Sequence, residues 1–527
     1  MFQGGCSGMA PRNQAPPCVS LISFCDQMHQ LAVRASIKIA QSQRRPRNME
    51  SKNGCSARSE RLLKPMLSYI GALFRAQREG LWDADARADG WIPLVVAENK
   101  LGNAAMLERM AAVQDFPTLV LNYSGMKGIP QLQAAMARLM ERFFLPGHTV
   151  DPQHVCISSG CSAILDNMFY CLCDEGDGVL IPAPYYPAFD NDLQAKCRVH
   201  PLPFFLTEPG SASGTSNSAT AANGTNGSSP GSIRQQLDAA AAEAAARGIP
   251  VRGLLITNPN NPLGTIYGSE AISEMLRWCL DNQVHYISDE IYALSVYKQQ
   301  APFTSAITLA QQLVGQGAGG EGAAAADGSS DGGPAAAADD GSGGYSQKAV
   351  DTYVHLVYGL SKDWCASGLR VGLLYSRNTR LQQALNSISA FAGVSNHTQW
   401  VLAQVLSDHE WAASFLQQNQ RALERSYDSL AAALEQEGIP FLPPVGGMFV
   451  WIDLKQWLLE PTWEAELALW QRICDEARVI LTPGKDCHAA EPGSFRLCFA
   501  WMPPDALPEA VRRLRRVLDG RAAAWQP

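Results

Sequence analysis

The sequence predicts an α/β protein whose mainly parallel sheet is covered by helices on both faces. Short apolar runs that resemble strands alternate along the chain with longer segments that resemble helices. Turn-forming residues bound each run, which limits it to the length of a strand. Parallel strands are buried on both faces, so uninterrupted apolar runs are typical of them. In such sheets ligands bind at the carboxyl ends of the strands.

The predicted elements follow in strand and helix order. The strand-like runs are residues 155–158, 178–181, 254–257, 284–288, 354–358 and 371–375, and the helix-like segments are 164–173 and 271–280. Polar residues follow three of these runs. Residues 258–264 (NPNNPLG) follow the run that ends at 257, residues 289–292 (DEIY) follow the run that ends at 288, and Ser361-Lys362 follows the run that ends at 358. Arg370 comes eight residues after Lys362. We therefore expect a functional site at the ends of these strands.

The composition indicates a folded protein. Of the 527 residues, 46 % are apolar and 17 % are charged, which supplies a large core and excludes disorder of the whole chain.

The net charge is −8 and no long basic stripe occurs beyond the N-terminus, so we expect no nucleic acid partner. The 14 cysteines include no Cys-x-x-Cys pair, which favours free thiols in a reducing compartment and no metal site. No run approaches the roughly 18 apolar residues of a transmembrane helix, so we expect no membrane partner.

Three segments differ from the rest of the chain. Residues 1–59 hold eight basic and two acidic residues, which fits either an organelle transit peptide or a disordered extension. They lack the apolar block of a secretory signal. We therefore expect a protein inside the cell, in the cytoplasm or, with a transit peptide, in a chloroplast or mitochondrion. Residues 209–231 and 315–344 consist mostly of Gly, Ser, Ala, Asn and Thr and are predicted to be low-complexity insertions.

The motifs at the strand ends, in this order, resemble the class I/II aminotransferase superfamily over about residues 90–505. Its members have fold type I and use pyridoxal 5′-phosphate (PLP). Residues 96–101 (VAENKL), 181–190 (IPAPYYPAFD) and 494–500 (SFRLCFA) resemble its 1-aminocyclopropane-1-carboxylate (ACC) synthase-like branch. The resemblance implies a large domain with a seven-stranded, mainly parallel sheet between helices, and a smaller α/β domain. It implies an N-terminal arm and part of the small domain at 60–110, the large PLP-binding domain at 111–390, and the small C-terminal domain at 391–527.

The resemblance also implies roles for residues that match the motifs. Lys362 is the amine that can form a Schiff base with the cofactor aldehyde and then move the Cα proton of the substrate. Asp289 is expected to favour the protonated form of the pyridine ring. Asn261 and Tyr292 are expected to donate to the phenolic oxygen of the cofactor.

The face and the phosphate of the cofactor need further contacts. An aromatic side chain is expected to cover the ring, and the Tyr-Pro pattern favours Tyr186 over Tyr185. Backbone N–H groups at a helix start, together with a fixed cation, suit a dianion. The expected phosphate contacts are Gly160, Cys161, Ser162, Ser361 and Arg370. Many relatives carry a serine three residues before the lysine, where this chain has Gly359, so we expect one phosphate hydroxyl to be absent.

Two further residues concern the substrate and the partner subunit. Arg496, within residues 495–499 (FRLCF), is expected to bind the α-carboxylate of the substrate through a bidentate contact. Residues 122–130 (NYSGMKGIP) resemble the segment whose tyrosine reaches the cofactor phosphate of the other subunit. This implies a homodimer in which Tyr123 crosses the interface. An ordinary interface aromatic is the alternative for Tyr123.

The resemblance leaves the reaction open. Glu98 stands where ACC synthases have a glutamate implicated in admitting S-adenosylmethionine, and an anion beside a sulfonium is electrostatically favourable. Tyr123 lies five residues before Gly128, as in general aminotransferases, and Lys100 replaces the usual glutamine. We therefore favour an aminotransferase of amino-acid metabolism, acting on an amino acid and a 2-oxo acid, over an ACC synthase. A catalytically idle PLP-binding scaffold is a third alternative, and the presence of Lys362, Asp289 and Arg496 argues against it.

Overall fold

The protein was analysed as a computed structural model that describes residues 56–63, 67–206, 231–298, 303–314 and 344–520. The two predicted insertions and the predicted N-terminal extension lie almost wholly outside these residues. The chain forms two compact units, Met1–Lys64 and Pro65–Pro527. In the described part, no helix combines the length and apolar composition needed to cross a membrane. The ten described cysteines are free thiols.

Strands and helices alternate through most of the chain. The strands of the described residues are β1 (Ile92–Pro93), β2 (Val155–Ser158), β3 (Gly178–Ala183), β4 (His200–Phe205), β5 (Val251–Thr257), β6 (His285–Asp289), β7 (Val354–Gly359), β8 (Gly372–Ser376), β9 (Phe441–Leu442), β10 (Phe449–Asp453), β11 (Val479–Ile480), β12 (Thr482–Pro483) and β13 (Ser494–Cys498). The α-helices of the described residues are α1 (Ala57–Glu60), α2 (Ile70–Glu79), α3 (Asn103–Ala111), α4 (Pro130–Phe143), α5 (Cys161–Leu172), α6 (Phe189–Gln194), α7 (Ile233–Ala246), α8 (Ser269–Asn282), α9 (Ala306–Gln312), α10 (Gln347–Tyr353), α11 (Thr379–Ile388), α12 (Asn396–Ser407), α13 (His409–Gln436), α14 (Trp463–Arg472) and α15 (Ala506–Leu518).

Capping side chains or a proline mark the first residues of several helices. The Ser232 side chain accepts from the backbone N–H of Gln235 over 3.2 Å, and the Gln235 side chain accepts from the backbone of Ser232 over 3.0 Å, which forms a capping box at α7. Asp408 accepts from the N–H of Trp411 at the start of α13. Pro130 is the first residue of α4. The lack of an N–H costs nothing at this position, because the first N–H groups of a helix have no partner within the helix.

Seven strands form the large sheet in the order β2-β8-β7-β6-β5-β3-β4. All neighbours pair in parallel except β8, which runs antiparallel to both β2 and β7. Helices pack on both faces, because apolar clusters lie on each side of the sheet. The predicted fold class is confirmed, whereas the reversed direction of β8 was not part of the prediction.

The smaller sheet is antiparallel and has the order β12-β13-β10-β9. It shares a separate core with α2, the second half of α13, and α15. The strand β1 joins this region by pairing in parallel with β11, which brings the chain before residue 110 to the small sheet.

The core changes from one sheet to the other inside the long helix α13. Phe415 and Leu416 belong to the core of the large sheet, whereas Leu423 and Leu430 belong to the core of the small sheet. Helix α12 packs against α4 and contributes to the large core as well. The predicted boundary between the large and the small domain at residue 391 lies before α12 begins, and it stays a prediction.

The two ends of the segment 315–343 lie side by side. Val314 and Tyr345 form an isolated parallel bridge, and the N–H of Tyr345 donates to the carbonyl of Leu313 over 3.0 Å. The hydroxyl of Tyr345 also donates to Asp281 of α8 over 2.7 Å. This joint therefore holds Val314 and Tyr345, the residues on either side of the segment 315–343, beside each other.

Candidate active site

The carboxyl ends of β5, β6 and β7 meet at one edge of the large sheet. Thr257, the last residue of β5, pairs with Asp289 at the end of β6, and Asp289 pairs with Val357 of β7. The loops that follow these strands carry most of the predicted site residues. They line one cleft together with residues from the start of α5 and the region of α6.

Lys362 lies on the loop after β7 and faces this cleft. Its Nζ donates to the backbone carbonyl of Ala97, which belongs to the segment after β1. Burial lowers the pKa of the Lys362 amine, because a low-polarity environment disfavours the ammonium form. An amine that loses its proton more readily is a better nucleophile and a better base.

The backbone beside Lys362 is held by a buried network that sequence reasoning missed. The carboxylate of Asp363 accepts from the hydroxyl of Ser295 at 2.5 Å, the N–H of Leu294 at 2.9 Å and the hydroxyl of Tyr358 at 3.0 Å. The side chain of Asn419 in α13 donates to the Asp363 carbonyl over 3.1 Å. A rigid backbone on this side fixes the point from which the Lys362 side chain extends.

Asp289 is only 6 % exposed, and its Oδ1 has no hydrogen-bond partner among the described residues. Burial raises the pKa of this carboxyl to about 7. The hydroxyl of Thr257 lies beside this carboxyl. A buried carboxylate oxygen without a donor is costly, so this end of the cleft is built for a ligand that brings an N–H or a positive charge.

Arg496 and Asn261 are joined directly although 235 residues separate them. The Nη1 of Arg496 donates to the Oδ1 of Asn261 over 2.9 Å, and its Nη2 donates to the Val95 carbonyl and the Thr482 hydroxyl, each over 3.0 Å. The Nε of Arg496 has no partner among the described residues. The Arg496 guanidinium also lies over the Phe449 ring, 4.4 Å from its centroid. It is fully buried, and its contact with Asn261 brings it to the wall of the cleft.

Tyr292 and Tyr186 supply aromatic walls to the cleft. Tyr292 packs edge-on against Phe449 with ring centroids 5.8 Å apart, and burial raises the pKa of its hydroxyl well above the usual range. Tyr186 packs edge-on against Phe189. The neighbouring Tyr185 points elsewhere, because its ring stacks on His488 of the small-sheet region at 4.4 Å. This placement agrees with the preference for Tyr186, whose role stays a prediction.

The start of α5 forms the other end of the cleft. Gly160 takes a φ of 87° at the N-cap, and a Cβ added there would lie 2.5 Å from Nη2 of Arg370, so the guanidinium packs directly on the glycine. The first backbone N–H groups of a helix, here those of Cys161 and Ser162, have no partner within the helix. Ser361 completes the wall. Amides, a hydroxyl and a guanidinium at one end suit a phosphate.

Glu98 lies at the side of the site and binds two donors. The indole Nε1 of Trp501 donates to one carboxylate oxygen over 2.9 Å, and the hydroxyl of Ser367 donates to the other. The ammonium of Lys100 lies 3.8 Å from the centroid of the Trp501 ring. The Ser367 carbonyl in turn accepts from Nη1 of Arg370 over 3.0 Å. Glu98 is therefore connected to the phosphate end of the cleft.

Tyr123 is a predicted site residue that lies away from this cleft. Its side chain is fully exposed and lines a separate groove of about 710 Å³ with Leu121, Met126 and Asn396. Within one chain it therefore makes no contact with the other site residues.

Asp192 is a cleft residue that sequence reasoning missed. It lies on α6 and accepts a long hydrogen bond of 3.4 Å from the hydroxyl of Ser162. Burial raises the pKa of Asp192 to about 7. Its position six residues after Tyr186 follows from a short helix that the sequence pattern did not predict.

The described residues fit PLP. The unpartnered Oδ1 of Asp289 suits the ring N–H, and the amides of α5 with Arg370 suit the phosphate at the opposite end. The amine of Lys362 lines the same cleft, and Tyr186 supplies a flat apolar surface. No group of three or more metal-ligating side chains occurs in the described part of the chain.

Comparisons with known proteins identify the family of the chain. The family described as aminotransferase class I and II matches residues 92–514. The chain is 34 % identical over 480 residues to 1-aminocyclopropane-1-carboxylate synthase 4 of Oryza sativa subsp. japonica, which covers 86 % of each protein. It is 30 % identical over 427 residues to 1-aminocyclopropane-1-carboxylate synthase 11 of Arabidopsis thaliana, covering 81 % of this chain and 79 % of that protein.

Solved structures show the same fold at lower sequence identity. A mutant aspartate aminotransferase of Thermus thermophilus superposes with a TM-score of 0.63 at 19 % identity, and the match covers 88 % of this chain and 99 % of that chain. An aminotransferase from Mycobacterium tuberculosis gives a TM-score of 0.62 at 22 % identity, with the same coverage.

Proposed function

Because the chain belongs to the aminotransferase class I and II family, a family of PLP-dependent enzymes, we propose that it transfers the amino group of a free α-amino acid to a 2-oxo acid. One observation carries this proposal. The amine of Lys362, whose pKa is lowered, and the Oδ1 of Asp289, which has no partner among the described residues, lie in a single cleft, and the buried guanidinium of Arg496 binds Asn261 in its wall. A base, an electrostatic partner for a ring nitrogen and a carboxylate receptor are the groups that amino-acid chemistry on PLP requires.

Bound PLP supplies an electron sink for the electron pair left behind when a proton leaves Cα. Lys362 removes and returns this proton, and burial keeps its amine ready to accept one. Asp289 stabilises a proton on the ring nitrogen through its free Oδ1. The Oδ1 of Asn261 is engaged by Arg496, so its NH₂ group is left to donate to the phenolic oxygen of the cofactor.

The substrate carboxylate is expected to bind Arg496. The Nε of Arg496 is buried without a partner among the described residues. Among these residues, no carboxylate hydrogen-bonds the Arg496 guanidinium. A guanidinium held at three points by Asn261, Val95 and Thr482 is pre-oriented for a planar anion. A carboxylate receptor of this kind beside the cleft of Lys362 supports a free α-amino acid as the substrate class.

ACC synthase activity is the second candidate. Glu98 favours it, because a carboxylate near the Lys362 amine would attract the sulfonium of S-adenosylmethionine. The curated relatives at 34 % and 30 % identity are ACC synthases, which supports the same candidate. The fixed arrangement of Lys362, Asp289 and Arg496 serves either reaction, so the products must decide.

We also propose that the protein forms a homodimer around the groove that contains Tyr123. Leu121 and Phe391 are 84 % and 91 % exposed in a single chain, and Tyr123 projects fully into solvent. A second copy covering this apolar surface would bury it and bring Tyr123 toward a second cofactor site. Sedimentation velocity tests the dimer. Mixed dimers of the Tyr123→Phe and Lys362→Ala variants test whether the two sites are shared.

The decisive experiment is product analysis with purified holoenzyme. A panel of amino acids with 2-oxo acids is expected to yield new keto acids, with the bound cofactor converted reversibly to its amine form. S-adenosylmethionine alone, yielding ACC and methylthioadenosine, would instead establish the synthase. Bound PLP whose absorbance no substrate disturbs would contradict both and favour a scaffold.

A further inference from the structure

Tyr185, Asp190 and His488 form a cluster of three side chains beside the cleft. The hydroxyl of Tyr185 donates to Oδ1 of Asp190 over 2.6 Å, and Nε2 of His488 lies 2.8 Å from Oδ2 of the same carboxylate. The rings of Tyr185 and His488 also stack, with centroids 4.4 Å apart and planes inclined by 19°. Each of the three side chains therefore contacts both of the others.

This cluster joins the large sheet to the small one. Tyr185 follows β3 of the large sheet and Asp190 lies on α6, whereas His488 lies between β12 and β13 of the small sheet. The backbone supports the same link, because the N–H of Tyr185 donates to the carbonyl of Cys487 over 2.9 Å. Burial and the Asp190 carboxylate raise the pKa of the Tyr185 hydroxyl, so this group stays protonated and donates.

Residues next to the cluster reach two parts of the proposed site. Tyr186 follows Tyr185 directly, lines the cleft and packs edge-on against Phe189 with ring centroids 5.3 Å apart. On the small-sheet side, the buried thiol of Cys487 lies near the Arg496 guanidinium. The cluster therefore connects the ring expected to cover the cofactor with the guanidinium expected to bind the substrate carboxylate.

We propose that Asp190 is a positioning residue that fixes the separation between the ring of Tyr186 and the guanidinium of Arg496. One carboxylate oxygen accepts from Tyr185 and the other faces His488, so a single side chain ties the two segments together. This separation sets the room for an amino acid held between the cofactor and the carboxylate receptor. The inference rests on the proposed function, because it requires PLP against Tyr186 and a substrate carboxylate at Arg496.

Variants of the full-length holoenzyme test this role. Asp190→Ala removes both contacts, and we expect KM for the amino acid substrate to rise by about 10-fold, because the carboxylate receptor is no longer held at a fixed distance from the cofactor. The visible circular dichroism of bound PLP should decrease as the ring of Tyr186 loses its fixed tilt. Lys196→Ala, which removes an exposed ion pair with Asp166 just after α6, is the matched control and should leave both readouts unchanged.

Two further substitutions separate the contacts of the cluster. His488→Gln keeps an amide N–H for the carboxylate, so its KM should stay within about 3-fold of the parent, whereas His488→Ala should behave like Asp190→Ala. Tyr185→Phe removes the hydroxyl and keeps the ring that stacks on His488. It should lower the dichroism of bound PLP in the same direction, and it tests the proposal even where Asp190→Ala does not fold.

A double-mutant cycle shows whether the two sides act as one unit. If Asp190 acts through His488, the double variant Asp190→Ala and His488→Ala should raise KM no further than Asp190→Ala alone. Additive effects, or a lowered Tm with KM and dichroism unchanged, would overturn the inference and leave the proposed function intact. A parent protein that binds no PLP would instead refute the proposed function, and the inference with it.

Discussion

The guanidinium of Arg496 donates to the amide oxygen of Asn261 across 2.9 Å, and this bond joins the two halves of the site. Arg496 belongs to β13 of the small sheet, and Asn261 follows β5 of the large sheet. The residue expected to hold the substrate carboxylate therefore also orients the residue expected to hold the cofactor phenolic oxygen. Replacing one should affect both.

The Arg496→Lys variant should distinguish the role of the positive charge at this position from the role of the guanidinium hydrogen bonds. Lysine keeps the positive charge but cannot reach Asn261, Val95 and Thr482 together. We expect KM for the amino acid to rise by about 10-fold or more, and the absorbance of bound PLP to shift as the amide of Asn261 loses its fixed orientation. Steady-state kinetics and a cofactor spectrum check this. Arg75→Lys, a surface ion-pair residue, serves as control. An unchanged spectrum with raised KM would show that Asn261 is oriented independently.

Lys362→Ala should abolish turnover and preserve the fold. Among the described residues the Lys362 side chain makes one hydrogen bond, to the Ala97 carbonyl, so little structure depends on it. Loss of the base and of the covalent anchor should reduce kcat by about 10⁴-fold or more. Lys348→Ala, an exposed position on α10, controls for the loss of a lysine. Residual activity near the parent level would remove Lys362 from the mechanism.

Asp289→Asn should make the apoprotein more stable while lowering activity. The folded pKa of Asp289, about 7, lies above its unfolded value near 3.8, so its contribution to stability is present at low pH and is lost as the pH rises toward and past 7. At pH 8 the neutral amide avoids this cost, and we expect the apoprotein Tm to rise by about 2–4 °C. Activity should fall by about 10²-fold or more, because the ring proton loses its carboxylate. Differential scanning fluorimetry at pH 5 and pH 8 measures the first effect. Equal Tm differences at both pH values would contradict it.

The buried pair His285 and His355 should make the protein sensitive to acid. The Nδ1 of His285 lies 3.0 Å from Nε2 of His355, which contacts the Ser376 hydroxyl through Nδ1. Burial lowers the pKa of His285 to about 4 and that of His355 well below its usual value. The unfolded chain therefore binds more protons below pH 6.5, so this contribution to stability is lost as the pH falls from about 6.5 through 4.

A variant carrying His285→Gln and His355→Gln isolates this effect from the carboxylates, which titrate with the opposite sign. The difference in Tm between parent and variant should shrink by several degrees between pH 7 and pH 4.5. His200→Gln, an exposed position, should show no such change. A constant difference across this range would exclude the pair as the acid-sensitive element.

Trp501→Phe should release one oxygen of Glu98. The indole hydrogen bond of 2.9 Å is lost while the aromatic ring under Lys100 is kept. If the Glu98 carboxylate recognises a cationic side chain, KM for S-adenosylmethionine should rise by about 10-fold, and KM for a neutral amino acid should change little. Trp463→Phe, at the start of α14, is the control. Equal changes for both substrates would assign Trp501 a purely structural role.

The sequence predicted the site residues at the strand ends well, because each of them follows closely after an apolar run that can be recognised in the sequence. Asp289 and Lys362 each stand within three residues of a strand end, and a parallel sheet brings such ends to one edge. Six strands of the large sheet were predicted to within three residues at each end, whereas β4 was not predicted. The apolar runs are long enough to identify these strands, although they do not reveal the reversed direction of β8.

Long-range partners could not be predicted from one sequence. Trp501 and Ser367 bind Glu98 from positions 403 and 269 residues away, and no pattern within either segment indicates this contact. Asp192 was missed for a different reason, because α6 is only six residues long and too short for a periodic signal. The contact of Asp190 with His488 likewise requires coordinates, since 298 residues separate them.

The joint between Val314 and Tyr345 makes the α9–α10 connection a natural place for genetic fusion. Val314 and Tyr345 are already paired, so a linker or a folded reporter inserted between them is not expected to displace α9 or α10. The entropic cost of closing a longer loop grows only slowly with its length. Lineages can therefore lengthen or shorten this part of the gene without disturbing the cleft, and a fluorescent tag placed there should report on the protein in cells while both termini stay free.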